Sequence, residues 1–161
     1  MAKEKPKRPQ PRDRTPVVMT ELVLPSHTNA LGNIFGGVVM SWIDIAAAIA
    51  AMRYARSPVV TVSIDHLHFI VPIKIGYTVR ITAEVTFVGR TSMEVRALVD
   101  AENSITGESR RATSAFLTYV AIDEFGRPKP VPPLYPRNTN EKKALEEAAQ
   151  RRAQRLACVK A

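Results

Sequence analysis

Val38 to Met52 reads VVMSWIDIAAAIAAM, and the polarity of this stretch decides the fold. Only Ser41 and Asp44 interrupt its apolar character. A helix that is apolar on nearly every side belongs inside a core. The run is too short to cross a bilayer comfortably, and it carries an acid near its middle, so no membrane span is expected. Arg53 and Arg56 follow at its end, where cations suit the helix dipole.

Before this helix, Val17 to Leu24 has the pattern of a strand, and Pro25 to Gly37 (PSHTNALGNIFGG) is rich in turn formers. After it come four strand-like runs. Val59 to Ile70 is β-branched in its first half. Val79 to Val88 sets Val79, Ile81, Ala83, Val85 and Phe87 against Arg80, Thr82, Glu84 and Thr86. Ser92 to Asp100 sets Met93, Val95, Ala97 and Val99 against Glu94, Arg96 and Asp100. Arg110 to Ile122 is long and rich in Ala, Thr and aromatic residues. Alternation of period two marks strands with one buried face. The breaks carry turn chemistry at Pro72, Gly76, Gly89-Arg90 and Gly107. Gaps this short favour antiparallel neighbours.

One apolar helix needs one sheet to cover it. The expected architecture is therefore α+β, a five-stranded antiparallel sheet curled around one central helix. A single sheet leaves edges and an incompletely covered helix, so pairing of subunits is expected.

The ends of the chain differ in character. Residues 1–16 hold four prolines and many charges and read as a basic disordered tail. They also lack the apolar stretch of a signal peptide. The main domain spans 17–125. Residues 126–161 form a Pro-rich connector and a charged C-terminal surface helix from about Asn138 to Ala157. Asn138 with Glu141 resembles a capping box, and Glu147 with Arg151 forms an i, i+4 pair. The apolar stripe of that helix is weak, so its charge run reads as a solvated face.

The 161 residues suit one domain, and 45% hydrophobic with 24% charged residues is ordinary for a globular protein. The one cysteine, Cys158, excludes an internal disulfide and zinc sites built on paired cysteines. With no signal peptide read in the sequence, a cytoplasmic location is expected. The net charge is +8, yet residues 1–15 and 137–161 each carry +4 and residues 16–136 are neutral. A partner of the core need not be a polyanion, and no nucleic acid is expected.

Asp44 is the most informative residue. A buried carboxylate is costly unless hydrogen-bonded or paired. A structural role, satisfying a backbone group or a cation across an interface, stands beside a functional one. Context favours function. Gly36 and Gly37 begin the helix two turns before Asp44, where glycine lets a ligand approach the backbone. Free amides at a helix N-terminus stabilise negative charge on an oxygen. An oxyanion site and a carboxylate close together suit acyl transfer. Asn29, in the preceding loop, could hold a water or a carbonyl oxygen, or serve only as a turn residue. His66 and His68 share a strand face beside Asp65, and His27 stands alone in a loop. A metal needs more convergent ligands than these, so none is expected.

Leu24 to Gly37, LPSHTNALGNIFGG, followed by Met40 and Asp44, resembles the active-site segment of hot-dog acyl-CoA thioesterases of the YciA and brain acyl-CoA hydrolase type. Val60-Thr61-Val62-Ser63-Ile64-Asp65, with Phe69, Pro72, Ile73 and Gly76, is similar to the family's second strand and its turn. Val88 to Val95, VGRTSMEV, resembles its next signature. The likeness spans about residues 17–125. It departs at His27, where the family commonly has an acid, and at His66, where many members have a small residue.

The resemblance implies a hot-dog fold and hydrolysis of acyl-CoA to a carboxylic acid and CoA. Asp44 would be general base or nucleophile, Asn29 would orient water or carbonyl, and the amides at Gly36 and Gly37 would polarise the thioester. CoA is then substrate moiety and product, with no other cofactor. Cations are expected near its phosphates, and Arg90, with Thr91 and Ser92, is best placed to contact CoA. Arg110 and Arg111 read as solvated edge residues. The resemblance also implies a homo-oligomer, a dimer at minimum and by expectation a trimer of dimers, with sites between subunits. The alternatives are a non-catalytic acyl-CoA-binding regulator on the same fold, a polyanion-binding protein acting through its basic ends, and a hot-dog dehydratase.

Overall fold

Helix α1, Gly36–Ala55, lies against one face of a five-stranded antiparallel sheet in a computed structural model that describes residues 14–65 and 67–159. The strands are β1 (Val17–Leu22), β2 (Val59–Asp65), β3 (Thr78–Val88), β4 (Ser92–Glu102) and β5 (Ser109–Ala121), in the spatial order β1-β3-β4-β5-β2. A second helix, α2, runs from Thr139 to Val159. The expected α+β architecture is thus observed, with α1 longer at both ends than its apolar run.

Small residues let α1 sit close to the sheet. Ala46, Ala47, Ala50 and Ala51 are buried beside Val39, Ile43 and Tyr54. They meet the inward faces of β3 (Val79, Ile81, Ala83), β4 (Met93, Val95, Ala97, Val99) and β5 (Ala115, Leu117, Tyr119). These are the faces that alternation assigns to the core. Full burial of a side chain such as Ile43 stabilises the fold by roughly 1.5–3 kcal/mol. Among the described residues α1 is the one helix apolar and long enough to cross a membrane, and half of its length is buried within the fold. Its other side stays open, with Met40, Ile45 and Met52 about 40–47% exposed. The helix ends at Arg56, a left-handed residue (φ 53°) whose amide donates to the Met52 carbonyl at 2.8 Å. The Tyr54 hydroxyl reaches the carbonyls of Pro132 and Pro133, which fastens the Pro-rich connector to this end of α1.

Three details differ from the sequence reading. β2 stops at Asp65 instead of continuing to Ile70, because its β-branched residues run out at Ile64. His68 therefore lies outside the strand, and His66 lies outside the described residues. Second, α2 is not simply a solvated rod. Arg151 and Arg155 turn onto the outer face of the sheet and bind Glu94, whose side chain is fully buried. Arg151 also stacks over Phe116, 4.0 Å from the ring centre. The Glu147–Arg151 pair is replaced by this stronger contact with a desolvated carboxylate. Third, only one half of the expected capping box between Asn138 and Glu141 forms among the described residues. The Asn138 side chain caps the Glu141 amide at 2.9 Å, while the Glu141 carboxylate accepts from the Arg137 amide and from Arg14. Most of the expected tail, residues 1–13, lies outside the described residues.

Candidate active site

Asp44 sits midway along α1, partly exposed, facing β2 and β5. Its Oδ1 accepts two hydrogen bonds, one from the Thr61 hydroxyl at 2.8 Å and one from the Tyr119 hydroxyl at 2.7 Å. The Tyr119 hydroxyl also lies 3.0 Å from the Asp44 carbonyl oxygen. Thr61 and Tyr119 are directly opposed in the β2–β5 ladder, so both side chains leave the sheet on the face that carries α1. A register shift between Thr61 and Ser63 follows at once. Such a bulge re-aims a strand locally. Oδ2 accepts no bond among the described residues, so the carboxylate is gripped by one oxygen and open at the other.

Tyr119 is buried. Burial, and then the hydrogen bond and charge of Asp44, push its phenol far above the ordinary tyrosine value. The phenol therefore stays protonated and remains a donor at any working pH.

Asn29 lies in the loop ahead of α1. Its Oδ1 accepts from the amides of Leu31 at 3.0 Å and Asn33 at 3.2 Å. The oxygen is thus committed to the loop, and the side-chain NH2 is the part left to act outward. The loop is well fastened. Asn29 donates its amide to the Asn33 carbonyl, Gly32 donates to Asn29, and Ile34 donates to Ile73. Gly32 has φ +72°, a left-handed turn position that suits glycine. His27 has a structural part here. Its Nδ1 accepts the Leu24 amide at 3.2 Å, and its ring meets Trp42 edge-on at 5.2 Å.

Gly36 and Gly37 are the first two residues of α1. The Phe35 carbonyl takes the amides of Val38 and Val39. The amides of Gly36 and Gly37 have no partner among the described residues. A Cβ on Gly37 would meet nothing within 4 Å, so a ligand has room to approach there.

Arg90 and Thr91 lie in the β3–β4 turn, and Ser92 opens β4. Arg90 is exposed, and its guanidinium makes no bond among the described residues. Arg110 and Arg111, by contrast, pair with Glu108 and Asp100. Thr91 and Ser92 line a groove of about 570 Å³ between the sheet and α2, together with Thr118, Val120 and Arg152. Thr118 and Val120 alternate with Tyr119, so this groove opens on the face of the sheet opposite to Asp44. The structure brings Asp44, Thr61 and Tyr119 together; it does not place the β3–β4 turn in one cleft with them.

Thr61 and Tyr119 were not singled out by the sequence. The available signal was a pair of needs. A carboxylate in an apolar helix needs donors, and Tyr119 falls on the inward face of β5 with a hydroxyl that needs an acceptor.

A family model described as the thioesterase superfamily matches residues 31–108. The acyl-CoA thioester hydrolase YkhA of Bacillus subtilis is 43% identical over 137 residues, which cover 85% of this chain and 79% of that protein. The chain belongs to the thioesterase superfamily. The cytosolic acyl coenzyme A thioester hydrolase of Mus musculus is 39% identical over 80% of the chain, and the match spans 34% of that longer protein. Among solved structures, an apo-hexameric acyl-CoA thioesterase superposes with TM-score 0.85 at 45% identity, covering 91% of this chain and 94% of that one. An acyl-CoA hydrolase of Staphylococcus aureus, in complex with butyryl coenzyme A and coenzyme A, gives TM-score 0.80 at 37% identity over 88% and 87% of the two chains. Alanine variants of that enzyme have been solved at an aspartate, a threonine and an asparagine. Each stands one position below Asp44, Thr61 and Asn29 in its own numbering.

Proposed function

We propose that the protein hydrolyses acyl-CoA thioesters to a free carboxylic acid and CoA. One observation carries this reading: a carboxylate anchored by Oδ1 and, among the described residues, open at Oδ2, on a helix whose first amides have no partner among those residues. The amides at Gly36 and Gly37 of one copy receive the thioester oxygen and stabilise the charge that grows on it, opposite Asp44 of a neighbouring copy, because along a single helix the two lie about 10–12 Å apart. The Asn29 NH2 donates to the attacking water or to the carbonyl. Asp44 acts as general base toward water or attacks the carbonyl carbon itself, and in both routes Oδ2 is the reacting oxygen. The C–S bond breaks, CoA leaves as thiolate and gains a proton, and water supplies the new carboxyl oxygen. This chemistry needs water and no further cofactor.

The one-position offset shared with the Staphylococcus aureus variants supports assigning roles to Asn29, Asp44 and Thr61. The open apolar side of α1 (Met40, Ile45, Met52) is covered by a second copy, and the copies assemble into a hexamer like the relative of TM-score 0.85. Arg90, Thr91 and Ser92 contact CoA bound at a neighbouring copy's Asp44, since their own groove faces away from it. A cytoplasmic location accords with the cytosolic mouse relative.

The test is thiol release from a panel of acyl-CoA chain lengths, with Asp44→Asn as control. Wild-type protein is expected to turn over. The variant should lose about 10²- to 10⁴-fold in kcat, the usual worth of a positioned acid–base group, with KM little changed. Binding of acyl-CoA without any thiol release by the wild type would favour the regulator reading instead.

A further inference from the structure

We propose that Tyr119 is a positioning residue for this reaction, its phenol fixing the Asp44 carboxylate so that Oδ2 is the oxygen presented to substrate. The inference rests on the thioesterase reading and assigns a part to a residue outside the expected set. Three observations carry it. The hydroxyl lies 2.7 Å from Oδ1 and 3.0 Å from the carbonyl oxygen of the same residue, so one phenol touches both the side chain and the main chain of Asp44. Tyr119 is buried, so its ring cannot swing away without opening the core. It is also the cross-strand partner of Thr61, the other donor to Oδ1.

The two donors differ in kind. Thr61 is exposed on the edge strand β2, with a short side chain. Tyr119 stands in β5, between β4 and β2, on a ring packed into the core. Of the two, Tyr119 is the rigid reference point. A carboxylate with no such anchor rotates about χ2, exchanging Oδ1 and Oδ2 and spreading its lone pairs over several directions. Anchoring one oxygen narrows this to a single orientation. The geometric requirement for attack is then met before substrate arrives. The phenol also keeps its proton, since burial and the neighbouring carboxylate oppose its ionisation.

The experiment is a kinetic comparison of wild type, Tyr119→Phe, Asp44→Asn and the double variant, with fold checked by circular dichroism. Tyr119→Phe should lower kcat about 10- to 100-fold, the rate equivalent of a hydrogen bond to a charged group, and leave KM within about twofold. Added to Asp44→Asn it should cost nothing further, because it acts through that carboxylate. Incorporating 4-aminophenylalanine at position 119, which restores a donor on the same ring, should recover activity. A purely packing role would show neither the non-additivity nor the recovery. Should Tyr119→Phe not fold, 4-fluorophenylalanine fills the phenol's volume without a donor and carries the same expectations. An active wild type with unchanged kcat in Tyr119→Phe overturns the positioning role and leaves the thioesterase reading standing. A wild type that releases no thiol from any acyl-CoA overturns that reading itself.

Discussion

Arg151 holds Glu94 across the outer face of the sheet with bonds of 2.8 and 3.2 Å, and the Glu94 side chain has no contact with solvent. Arg155 joins from the next turn, reaching Glu94 at 2.8 Å and Asp65 at 2.9 Å. A charge sealed in this way is costly once a partner is removed. Arg151→Leu should therefore destabilise the protein by about 2–4 kcal/mol, toward the lower side for a broken buried pair because Arg155 remains. Replacing both members, as Glu94→Met with Arg151→Leu, should recover most of the loss. Urea denaturation reads both variants. A single variant as stable as the wild type would show that the pair contributes nothing to docking α2.

The same carboxylate sets a pH dependence. Burial pushes the Glu94 carboxyl up, but hydrogen bonds from Arg151, Arg155 and Thr86, with the charge of Arg151, outweigh it and leave the pKa below the ordinary 4.5. A depressed folded pKa means the stabilisation is complete above the unfolded value and disappears as pH falls through the folded one. Melting temperatures taken from pH 7 down to pH 3 should fall more steeply below about 4.5 in wild type than in Glu94→Gln. Parallel acid limbs in the two proteins would contradict this.

Asn29 combines two tasks that different substitutions separate. Asn29→Asp keeps the oxygen that receives the Leu31 and Asn33 amides, but it removes the NH2 group. Its stability should stay within about 0.5 kcal/mol of wild type while kcat falls at least about tenfold. Asn29→Ala should lose stability as well, by about 1 kcal/mol. Full turnover by the aspartate variant would mean that the NH2 group plays no part.

The helix tip offers a contrast between neighbours. A Cβ at Gly37 meets open space, whereas one at Gly36 lies 3.1 Å from the Phe69 ring. Gly37→Ala should gain up to about 1 kcal/mol of helix stability. It should also weaken turnover, because the methyl group intrudes where the thioester oxygen approaches the amides. Gly36→Ala has to displace Phe69 and should show little or no gain. Raised stability with unaltered kinetics in Gly37→Ala would place the thioester elsewhere.

The parts of the fold that residues announce individually were readable beforehand. The alternation in β3 and β4 named its own buried face, and the run of alanines in α1 named the core helix. Asp44 stood out because an acid there conflicts with everything around it. What could not be read was pairing at a distance. Glu94 alternates with Met93 and Val95, and so looks like an outward, solvated acid; nothing nearby in the chain reveals that Arg151 and Arg155 roof it over. Thr61 and Tyr119 were hidden for the same reason. Their significance depends on register between β2 and β5, and on a bulge that no local pattern marks. The overrun of β2 to Ile70 shows the reverse case, in which local residue types suggested more ladder than the chain forms.

α2 has one further effect on the molecule. That helix lies across part of the sheet's outside, where Arg151 and Arg155 reach Glu94, while α1 fills its inside. The rims at β1 and β2 and the greasy flank of α1 stay open to a neighbouring copy. Thr61 stands on one of those rims, so a contact made along β2 would share a strand with the seat of Asp44.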